Sequence, residues 1–407
     1  MQKIIIQKPY QFIPPHRGHW WPTLIQRLRL IDRWLRKTHG IVQYECRHVD
    51  RLRESLDAGH GILLTPNHCC PSDPIVMGFP AREARTHVFA MASWHLFNQD
   101  WFTRYAIRKM GAFSVNREGI DRQAISTAIN ILETASRPLI LFPEGATTRT
   151  NDTLHDMLDG VAFIARTAAK RRARSHDGGK VVLHPVAIKY FLLSDLDEAV
   201  NESLAVIEHR LTWPEGSDMS VMDRIIRVGR GLLALKEIEY FGKPRQGSTH
   251  DRCAELIQCL LSPLEQRWLG SSRTDEGVVP RVKALRMAIV PDMVKNELGP
   301  EDHQQRWQDL GDIYLAQQIS CYPPDYLTEL PSVDRLHETV ERFEEDVTDT
   351  VQPRGEMKVV LEIGEAIEVD PQRDRNAETD PLMERIRSEV QAMLDRLARE
   401  SALVETL

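Results

Sequence analysis

Residues 61–77 have the sequence GILLTPNHCCPSDPIVM. A short apolar run, Gly61–Leu64, precedes a polar turn, and a second apolar run begins at Ile75. This order predicts a buried strand, a turn that carries polar side chains, and the start of a helix. His68 and Asp73 lie five residues apart in that turn. Because an imidazole held beside a carboxylate can take a proton from a hydroxyl, the pair is a candidate general base.

The composition is typical of a globular protein with two domains or one enlarged α/β domain. Of the 407 residues, 42% are hydrophobic and 27% are charged, which is enough apolar material for a large core. No run of about 18 or more apolar residues occurs, so we expect no helix that spans a membrane. The N-terminal apolar stretch, residues 1–6, is too short for a signal peptide, and the cytoplasm is therefore the expected compartment.

Six cysteines are present, and two of them, Cys69 and Cys70, are adjacent in the turn. Neither has a second ligand at metal-binding spacing, so we expect no metal site and no disulfide framework. A reactive thiol is the alternative at this position. Isolated cysteines are mostly small buried apolar side chains, which makes that alternative the weaker interpretation.

Charge is distributed unevenly along the chain. Residues 1–50 carry nine Lys or Arg against three Asp or Glu, whereas residues 291–407 carry twelve against twenty-eight. The basic beginning favours contact of the N-terminal part with an anionic surface. The acidic end argues against nucleic acid as the main partner, so we expect no nucleic-acid binding.

Residues 18–37 combine apolar and basic side chains at helical spacing. The apolar positions are Trp20, Trp21, Leu24, Ile25, Leu28, Ile31, Trp34 and Leu35. A basic amphipathic helix with tryptophans is typical of a segment that lies in a membrane interface. A helix whose apolar side packs on the protein's own core is the alternative. The tryptophan pair favours the membrane surface as the partner of this segment.

Strands and helices are predicted to alternate between residues 41 and 190. The predicted strands are 41–44, 61–65, 88–92, 138–142 and 181–188, and the predicted helices are 48–58, 98–110, 120–135 and 154–173. This alternation predicts a layered α/β fold. Ligands of open α/β sheets bind beyond the carboxyl ends of the strands. We therefore expect the polar segments 67–73, 111–117 and 143–149 to converge on one crevice.

The remainder of the chain carries weaker signals. Residues 191–350 are predicted to be mainly helical, with no repeat and no motif that indicates a role. A last strand is predicted at 357–363 and a last helix from about Asp380 to Glu400. The expected organisation is a basic N-terminal segment (1–40), an α/β core (41–190), a helical insertion (191–350) and a final strand and helix that complete the core (351–407).

Four segments resemble, in order, the sequence blocks of the glycerolipid acyltransferases of the lysophosphatidate acyltransferase type. They are Asn67-His68 followed by Asp73, the stretch Gly111–Arg117, Phe142-Pro143-Glu144-Gly145 followed by Arg149, and Val182-Leu183-His184-Pro185-Val186. A single His-x4-Asp is common by chance, but four blocks in this order are a specific signal. The resemblance covers about residues 40–190. It implies a layered mixed sheet flanked by helices, with a large mainly helical insertion.

The resemblance implies transfer of a fatty acyl group from a thioester to a lipid hydroxyl. The donor would be acyl-coenzyme A or acyl carrier protein, and the acceptor a glycerol phosphate or a lysophospholipid. His68 would act as the general base, and Asp73 would hold its tautomer and stabilise the imidazolium. The hydroxyl would attack the thioester directly, so we expect no acyl-enzyme and no cofactor besides the donor.

The same resemblance implies residues that bind the acceptor. Arg117 would bind the phosphate, because a guanidinium holds phosphate through two parallel hydrogen bonds. Glu144 and Gly145 would shape the acceptor pocket, since glycine permits a close approach of the backbone. A structural role in the turn is the alternative for Glu144.

The third block departs from the commonest family form, Glu-Gly-Thr-Arg. Here the arginine, Arg149, lies two positions later and follows Thr147 and Thr148. Either Arg149 still reaches the phosphate, or the two threonines replace it. This departure affects the identity of the acceptor's head group more than the reaction itself.

The other candidate residues also have structural explanations. Asp73 can cap a helix, His68 can be a hydrogen-bonded core histidine, and Arg117 can pair with Glu118 or Asp121 on the surface. At the level of function, the alternatives are acyl transfer to another alcohol or amine lipid, and a lipid-binding scaffold without catalysis.

Overall fold

The computed structural model describes residues 7–174, 179–216, 218–295, 298–323, 325–350, 352–373, 377 and 379–404. Residues 1–6, on which the expectation about a signal peptide rests, lie outside this part of the chain. No helix among the described residues is long and apolar enough to cross a membrane.

Within the described residues, eight strands form one mixed sheet. They are β1 (Ile41–Arg47), β2 (Gly61–Pro66), β3 (Phe89–Ser93), β4 (Ala112–Val115), β5 (Leu139–Ile140), β6 (Val181–Leu192), β7 (Met357–Ile363) and β8 (Ile367–Glu368). Their order is β1-β7-β6-β2-β5-β3-β4, and β8 pairs with the beginning of β6. Strands β2 to β6 run parallel, whereas β7 and β8 run antiparallel to β6. The predicted layered mixed sheet is confirmed.

Helices cover both faces of this sheet. They are α1 (Trp20–Arg27), α2 (Leu30–His39), α3 (Val49–Asp57), α4 (Asp73–Val76), α5 (Gly78–Glu83), α6 (Trp101–Lys109), α7 (Arg122–Glu133) and α8 (Gly160–Arg172). All six residues of β2 are buried. Ile62 and Leu64 pack in the core that contains α2 and α3, and Leu63 packs in the core on the other side. A strand buried on both faces has a continuous apolar sequence, as β2 does.

Seven helices between β6 and β7 form the insertion in the described part of the chain. They are α9 (Leu196–Arg210), α10 (Val221–Phe241), α11 (Thr249–Leu269), α12 (Val278–Lys295), α13 (Pro300–Ser320), α14 (Tyr326–Glu329) and α15 (Val333–Thr348). Helices α11, α12 and α13 enclose an apolar core of their own. Helices α9, α10 and α15 enclose another, which Leu192 of β6 joins. After β7, helix α16 (Pro381–Ala398) packs against the sheet.

The insertion contains a structural repeat, so the prediction of no repeat is wrong. The last turns of α9, α10 and α11 each carry a buried glutamate that pairs with an arginine of the next helix. These pairs are Glu208–Arg224, Glu237–Arg252 and Glu265–Arg281. Each glutamate also accepts a hydrogen bond from the backbone amide eight residues later. Successive glutamates lie 29 and 28 residues apart, and the Ser-x-x-Asp-Arg pattern of Ser220–Arg224 recurs 28 residues later at Ser248–Arg252.

Two predicted helices differ from the observed ones. Residues 18–37 form two helices, because Arg29 adopts a left-handed backbone conformation (φ 50°) between α1 and α2. The turn lets α2 bury Leu35 while Trp20 and Trp34 remain exposed. Helix α8 begins at Gly160 instead of residue 154, because the preceding residues make backbone hydrogen bonds to the turn after β5.

Candidate active site

His68 and Asp73 form a hydrogen-bonded pair at the carboxyl end of β2. The Nδ1 atom of His68 lies 2.9 Å from Oδ2 of Asp73. The Asp73 carboxylate is fully buried, whereas the imidazole is 15% exposed. A carboxylate that accepts at Nδ1 favours the tautomer in which Nε2 is free to accept a proton. The pair therefore has the geometry of an oriented base at the edge of the sheet.

Three short hydrogen bonds hold the Asp73 carboxylate, and the Cys69 thiol lies 3.9 Å from its Oδ1. Besides His68, the backbone amide of Cys70 donates to Oδ2 at 2.8 Å, and the Tyr190 hydroxyl donates to Oδ1 at 2.6 Å. Ser72 is the N-cap residue of α4 and Asp73 is the first residue inside the helix. The alternative that Asp73 caps this helix is therefore wrong. Its side chain instead fixes the conformation of the turn and the orientation of the imidazole.

The Nε2 atom of His68 faces the turn that follows β5. The Thr147 hydroxyl lies 3.3 Å from Nε2, and the Phe142 ring lies 4.2 Å from the imidazole, centroid to centroid. The hydroxyl of Thr147 thus lies just beyond the range of about 2.6–3.2 Å from which a substrate hydroxyl would give up its proton. Thr147 is the member of the third block that the fold brings to the base.

Glu144 joins the turns after β2 and β5. One carboxylate oxygen accepts from the backbone amide of His68 at 2.7 Å, and the other accepts from the amide of His155 at 2.9 Å. The side chain is buried, and burial raises the pKa of its carboxyl. Gly145 has a φ of 69°, a backbone conformation that favours glycine, and a Cβ there would lie 2.6 Å from Leu158 Cδ1. Both residues set the shape of the crevice through the backbone.

The last two residues of the third block have partners away from the base. The amide of Thr148 donates to the carbonyl oxygen of His68 at 2.8 Å, and its buried hydroxyl donates to the same oxygen at 3.1 Å. Arg149 has a left-handed backbone conformation and forms an ion pair with Glu345 of α15. The structure therefore separates Thr147, which lies against the imidazole, from Thr148 and Arg149, which hold neighbouring segments.

Arg117 follows β4 at the same edge of the sheet as His68. Strands β5 and β3 lie between β2 and β4, which separates the two strand ends by about 14 Å. Within the described residues, its half-buried guanidinium makes no hydrogen bond and no ion pair. Glu118 pairs with Arg286, and the Asp121 carboxylate accepts from two backbone amides. The alternative that Arg117 pairs with either carboxylate is wrong for this part of the chain.

The thiols beside His68 are poor nucleophiles. Burial raises the pKa of Cys70 to about 12 and that of Cys69 well above its ordinary value. Because the thiolate is the reactive form of cysteine, both side chains remain protonated near neutral pH. This supports the prediction that the two cysteines occupy positions without a chemical role.

Several residues of the site carry no signal in the sequence. Tyr190 lies in the apolar run of β6, and its hydroxyl reaches Asp73 only because β6 pairs with β2. Glu345 and Arg286 come from the insertion, for which no role is predicted. Their contacts with Arg149 and Glu118 span more than a hundred residues of sequence.

Residues 47–189 match the sequence model of the Acyltransferase family. A 1-acyl-sn-glycerol-3-phosphate acyltransferase of Streptococcus pneumoniae (strain ATCC BAA-255 / R6) is 36% identical over 110 residues. Residues 47–189 thus form a region that matches the Acyltransferase family. The four blocks lie within it, so the resemblance is confirmed. The alignment with the pneumococcal acyltransferase covers 27% of this chain and 38% of that protein, so the chain matches less than half of its relative's length.

Proposed function

We propose that the protein transfers a fatty acyl group from a thioester to a hydroxyl of a glycerol phosphate or lysophospholipid. The observation that carries this proposal is the imidazole of His68, with Nδ1 on the buried Asp73 and Nε2 facing Thr147. The hydroxyl proton moves to Nε2 as the oxygen attacks the thioester carbonyl. The tetrahedral intermediate then expels the thiolate, which takes this proton from the imidazolium. No acyl-enzyme forms in this sequence of steps.

Asp73 stabilises the imidazolium that forms during the transfer. Its carboxylate lies in a site from which water is excluded, where the attraction between opposite charges is stronger than in water. Cys70 and Tyr190 hold the carboxylate with uncharged donors. Its negative charge is therefore not cancelled by a neighbouring arginine and remains available to the imidazolium.

Arg117 is the residue that we assign to the acceptor's phosphate. Its guanidinium lacks a carboxylate partner in the described residues, and burial lowers its pKa to about 10. A half-buried positive charge that makes no ion pair is stabilised by a bound anion. Glu144 and Gly145 are assigned to the shape of the acceptor pocket, and Thr147 to the position next to the base. Acyl-coenzyme A or acyl carrier protein is the proposed donor, with no further cofactor.

The test is a thioester-consumption assay with purified protein. The donors are acyl-coenzyme A and acyl carrier protein, and the acceptors are glycerol 3-phosphate, lysophosphatidate and their dephosphorylated counterparts. We expect an ester product with a phosphorylated acceptor, and a loss of about 10²- to 10⁴-fold in turnover for His68→Ala. His209→Ala, at an exposed histidine of α9, is the matched control and keeps full turnover.

Two outcomes would contradict the proposal. Unchanged turnover in His68→Ala would exclude the mechanism. No consumption of any thioester, with lipid binding retained, would favour the scaffold. A second candidate is acyl transfer to another alcohol or amine lipid. It is supported by the ion pair of Arg149 with Glu345, because this arginine of the third block is then occupied by a carboxylate instead of the acceptor's phosphate. An ester or amide product made only with unphosphorylated acceptors would support that candidate.

We further propose that residues 18–37 bind the cytoplasmic surface of a membrane. Trp20 is 65% exposed, and Trp34 is also exposed. Helix α6 extends this surface, since Tyr105 contacts Trp21 edge to face and Trp101 is exposed beside it. Arginines on α1 and α2 supply the positive charge that anionic lipids attract.

A vesicle flotation assay tests this surface. We expect Trp20→Ala combined with Trp34→Ala to reduce binding to phosphatidylglycerol vesicles by at least about threefold. Phe163→Ala is the matched control, because Phe163 is equally exposed but belongs to α8, on the opposite face of the sheet. Equal flotation of all three proteins would assign α1 and α2 a purely structural role.

A further inference from the structure

The ion pair between Arg286 and Glu118 brings two arginines from distant parts of the chain near each other, because Glu118 is the residue after Arg117. Arg117 follows β4, and Arg286 lies in α12 of the insertion. The positive charge of Arg286 contributes, after burial, to the low pKa of Arg117. Like charges that are brought together in a half-buried place repel each other. A fold that keeps them there gains free energy when an anion binds between them.

The available carboxylate does not satisfy these donors. Glu118 forms an ion pair with Arg286 and none with Arg117. The Nε atom of Arg286 is buried and has no hydrogen-bond partner among the described residues. Buried donors without a partner are rare in folded proteins, and a bound anion is one explanation for them. The two guanidiniums together therefore retain free donors for an oxyanion.

A histidine lies beside the two arginines. His95 belongs to a short 3-10 helix, Trp94–Asn98, that follows β3 directly. Burial and the charges of Arg117 and Arg286 lower its pKa to about 4. Its Nδ1 lies 2.8 Å from the Ser93 hydroxyl. A neutral imidazole that accepts from this hydroxyl carries its proton on Nε2 and adds one more uncharged donor.

The cluster lies at the edge of the sheet where His68 also lies. Strands β3 and β4 are neighbours and run parallel to β2, so His95 and Arg117 emerge at the carboxyl ends of adjacent strands. Ligands of α/β sheets bind at this edge. Helix α12 brings Arg286 to the same place and holds it through Glu118.

We propose that Arg117 and Arg286 together bind a phosphate monoester, so that the helical insertion supplies half of this anion site. The inference rests on the proposed acyl transfer and extends it. Both the acceptor and coenzyme A carry a phosphate monoester, and both would present the same chemistry to the two guanidiniums. The insertion is then a part of the substrate site and not an accessory module.

The test uses the full-length protein with three substitutions. Arg286→Gln removes the charge, Arg286→Lys keeps it without the guanidinium fork, and Glu118→Gln breaks the ion pair but leaves Arg286 in place. Binding of inorganic phosphate is measured by titration calorimetry, which requires no turnover. Values of kcat and KM are then measured for lysophosphatidate and for acyl-coenzyme A.

We expect Arg286→Gln to weaken phosphate binding by about tenfold or more, with an intermediate loss for Arg286→Lys. Glu118→Gln binds phosphate at least as tightly as the unmodified protein, because it releases Arg286 from a competing carboxylate. In Arg286→Gln, the KM of one phosphorylated substrate rises while kcat changes less than about threefold. A higher KM for lysophosphatidate identifies the acceptor as the source of the phosphate, and a higher KM for acyl-coenzyme A identifies the donor.

Two results would overturn the inference. Unchanged phosphate affinity in Arg286→Gln would remove Arg286 from the site. An equal loss in Glu118→Gln and Arg286→Gln would mean that the ion pair serves only the packing of α12. A protein that binds phosphate through Arg286 but consumes no thioester would refute the proposed acyl transfer and retain the anion site.

Discussion

Buried carboxylates occur both at the candidate active site and between the helices of the insertion, but their partners differ. In the domain, Asp73 and Glu144 accept from backbone amides, from a tyrosine and from an imidazole. In the insertion, each of three buried glutamates faces an arginine of the next helix. Uncharged donors leave a carboxylate its negative charge, whereas an arginine cancels it. Under the proposed function, buried charge therefore serves proton transfer at the candidate active site, whereas in the insertion it joins successive helices.

The largest expected effect is on turnover, in Asp73→Asn. The substitution keeps the shape of the side chain but removes the charge that stabilises the imidazolium. We expect kcat to fall by about 10²- to 10⁴-fold. Tyr190→Phe removes one donor and keeps the carboxylate, so we expect a smaller loss, of about tenfold. Turnover of Asp73→Asn within about threefold of the unmodified protein would contradict the role of the uncancelled charge.

The second prediction concerns Glu265→Ala in the insertion. It leaves Arg281, which is 1% exposed, without its carboxylate. Breaking a buried pair in this way lowers the free energy of unfolding by about 3–5 kcal/mol. Urea denaturation measures the change.

Glu239→Ala is the matched control for the ion pair of Glu265. Glu239 pairs with Lys236 on the surface of α10, where both side chains are exposed. We expect a change of less than about 1 kcal/mol there. Equal effects of the two substitutions would show that burial of the pair is irrelevant and would abolish the contrast between the two regions.

The third prediction tests apolar packing in the domain. Leu183 of β6 is fully buried in the core that α7, α8 and α16 cover. Leu183→Ala leaves a cavity and lowers the free energy of unfolding by about 2–5 kcal/mol. The measurement is again denaturation by urea, and Leu403→Ala, at an exposed leucine, is the control. A loss below about 1 kcal/mol would mean that apolar packing at Leu183 contributes little to the stability of the domain. The stability of the domain would then depend on polar contacts, as that of the insertion does.

The smallest expected effect is a pH dependence where the two regions meet. Glu338 of α15 accepts from the amide of Asn151 at 3.3 Å and from the Tyr326 hydroxyl. Burial, followed by the charge of Asp152, raises the pKa of Glu338 from 4.5 to about 8. The folded state thus holds the proton more tightly than the unfolded state does. The stabilisation that the folded state gains from holding this proton on Glu338 is complete below pH 4.5. It disappears as the pH rises through about 8.

Glu338→Gln tests this contribution, because the amide keeps the acceptor and cannot lose a proton. We expect the free energy of unfolding of the variant to fall less between pH 5 and 8 than that of the unmodified protein. Glu329→Gln, at an exposed glutamate of α14, leaves the slope unchanged. Identical slopes in all three proteins would remove Glu338 as the titrating group.

Local patterns were enough to predict the sheet and the oriented base. Apolar runs mark β2 and β6 because both are buried on two faces, and the short spacing from His68 to Asp73 allows one turn to join them. The start of α8 was predicted six residues early, since hydrogen bonds to the turn after β5 override the helical pattern. The repeat in the insertion was missed because few side chains recur every 28 or 29 residues, among them the glutamates, the arginines and the serines that cap α10 and α11.

The amino-acid sequence was sufficient to identify most of the strands, though not β4, the turn with His68 and Asp73, and the resemblance to the family, since all three depend on neighbours along the chain. The partners of the candidate residues were decided by tertiary structure. Tyr190 reaches Asp73 across paired strands, Arg149 is bound by Glu345, and Arg286 joins Arg117 from the insertion. These contacts depend on how helices and strands pack against each other. The sequence around each residue does not indicate which distant side chain it will contact.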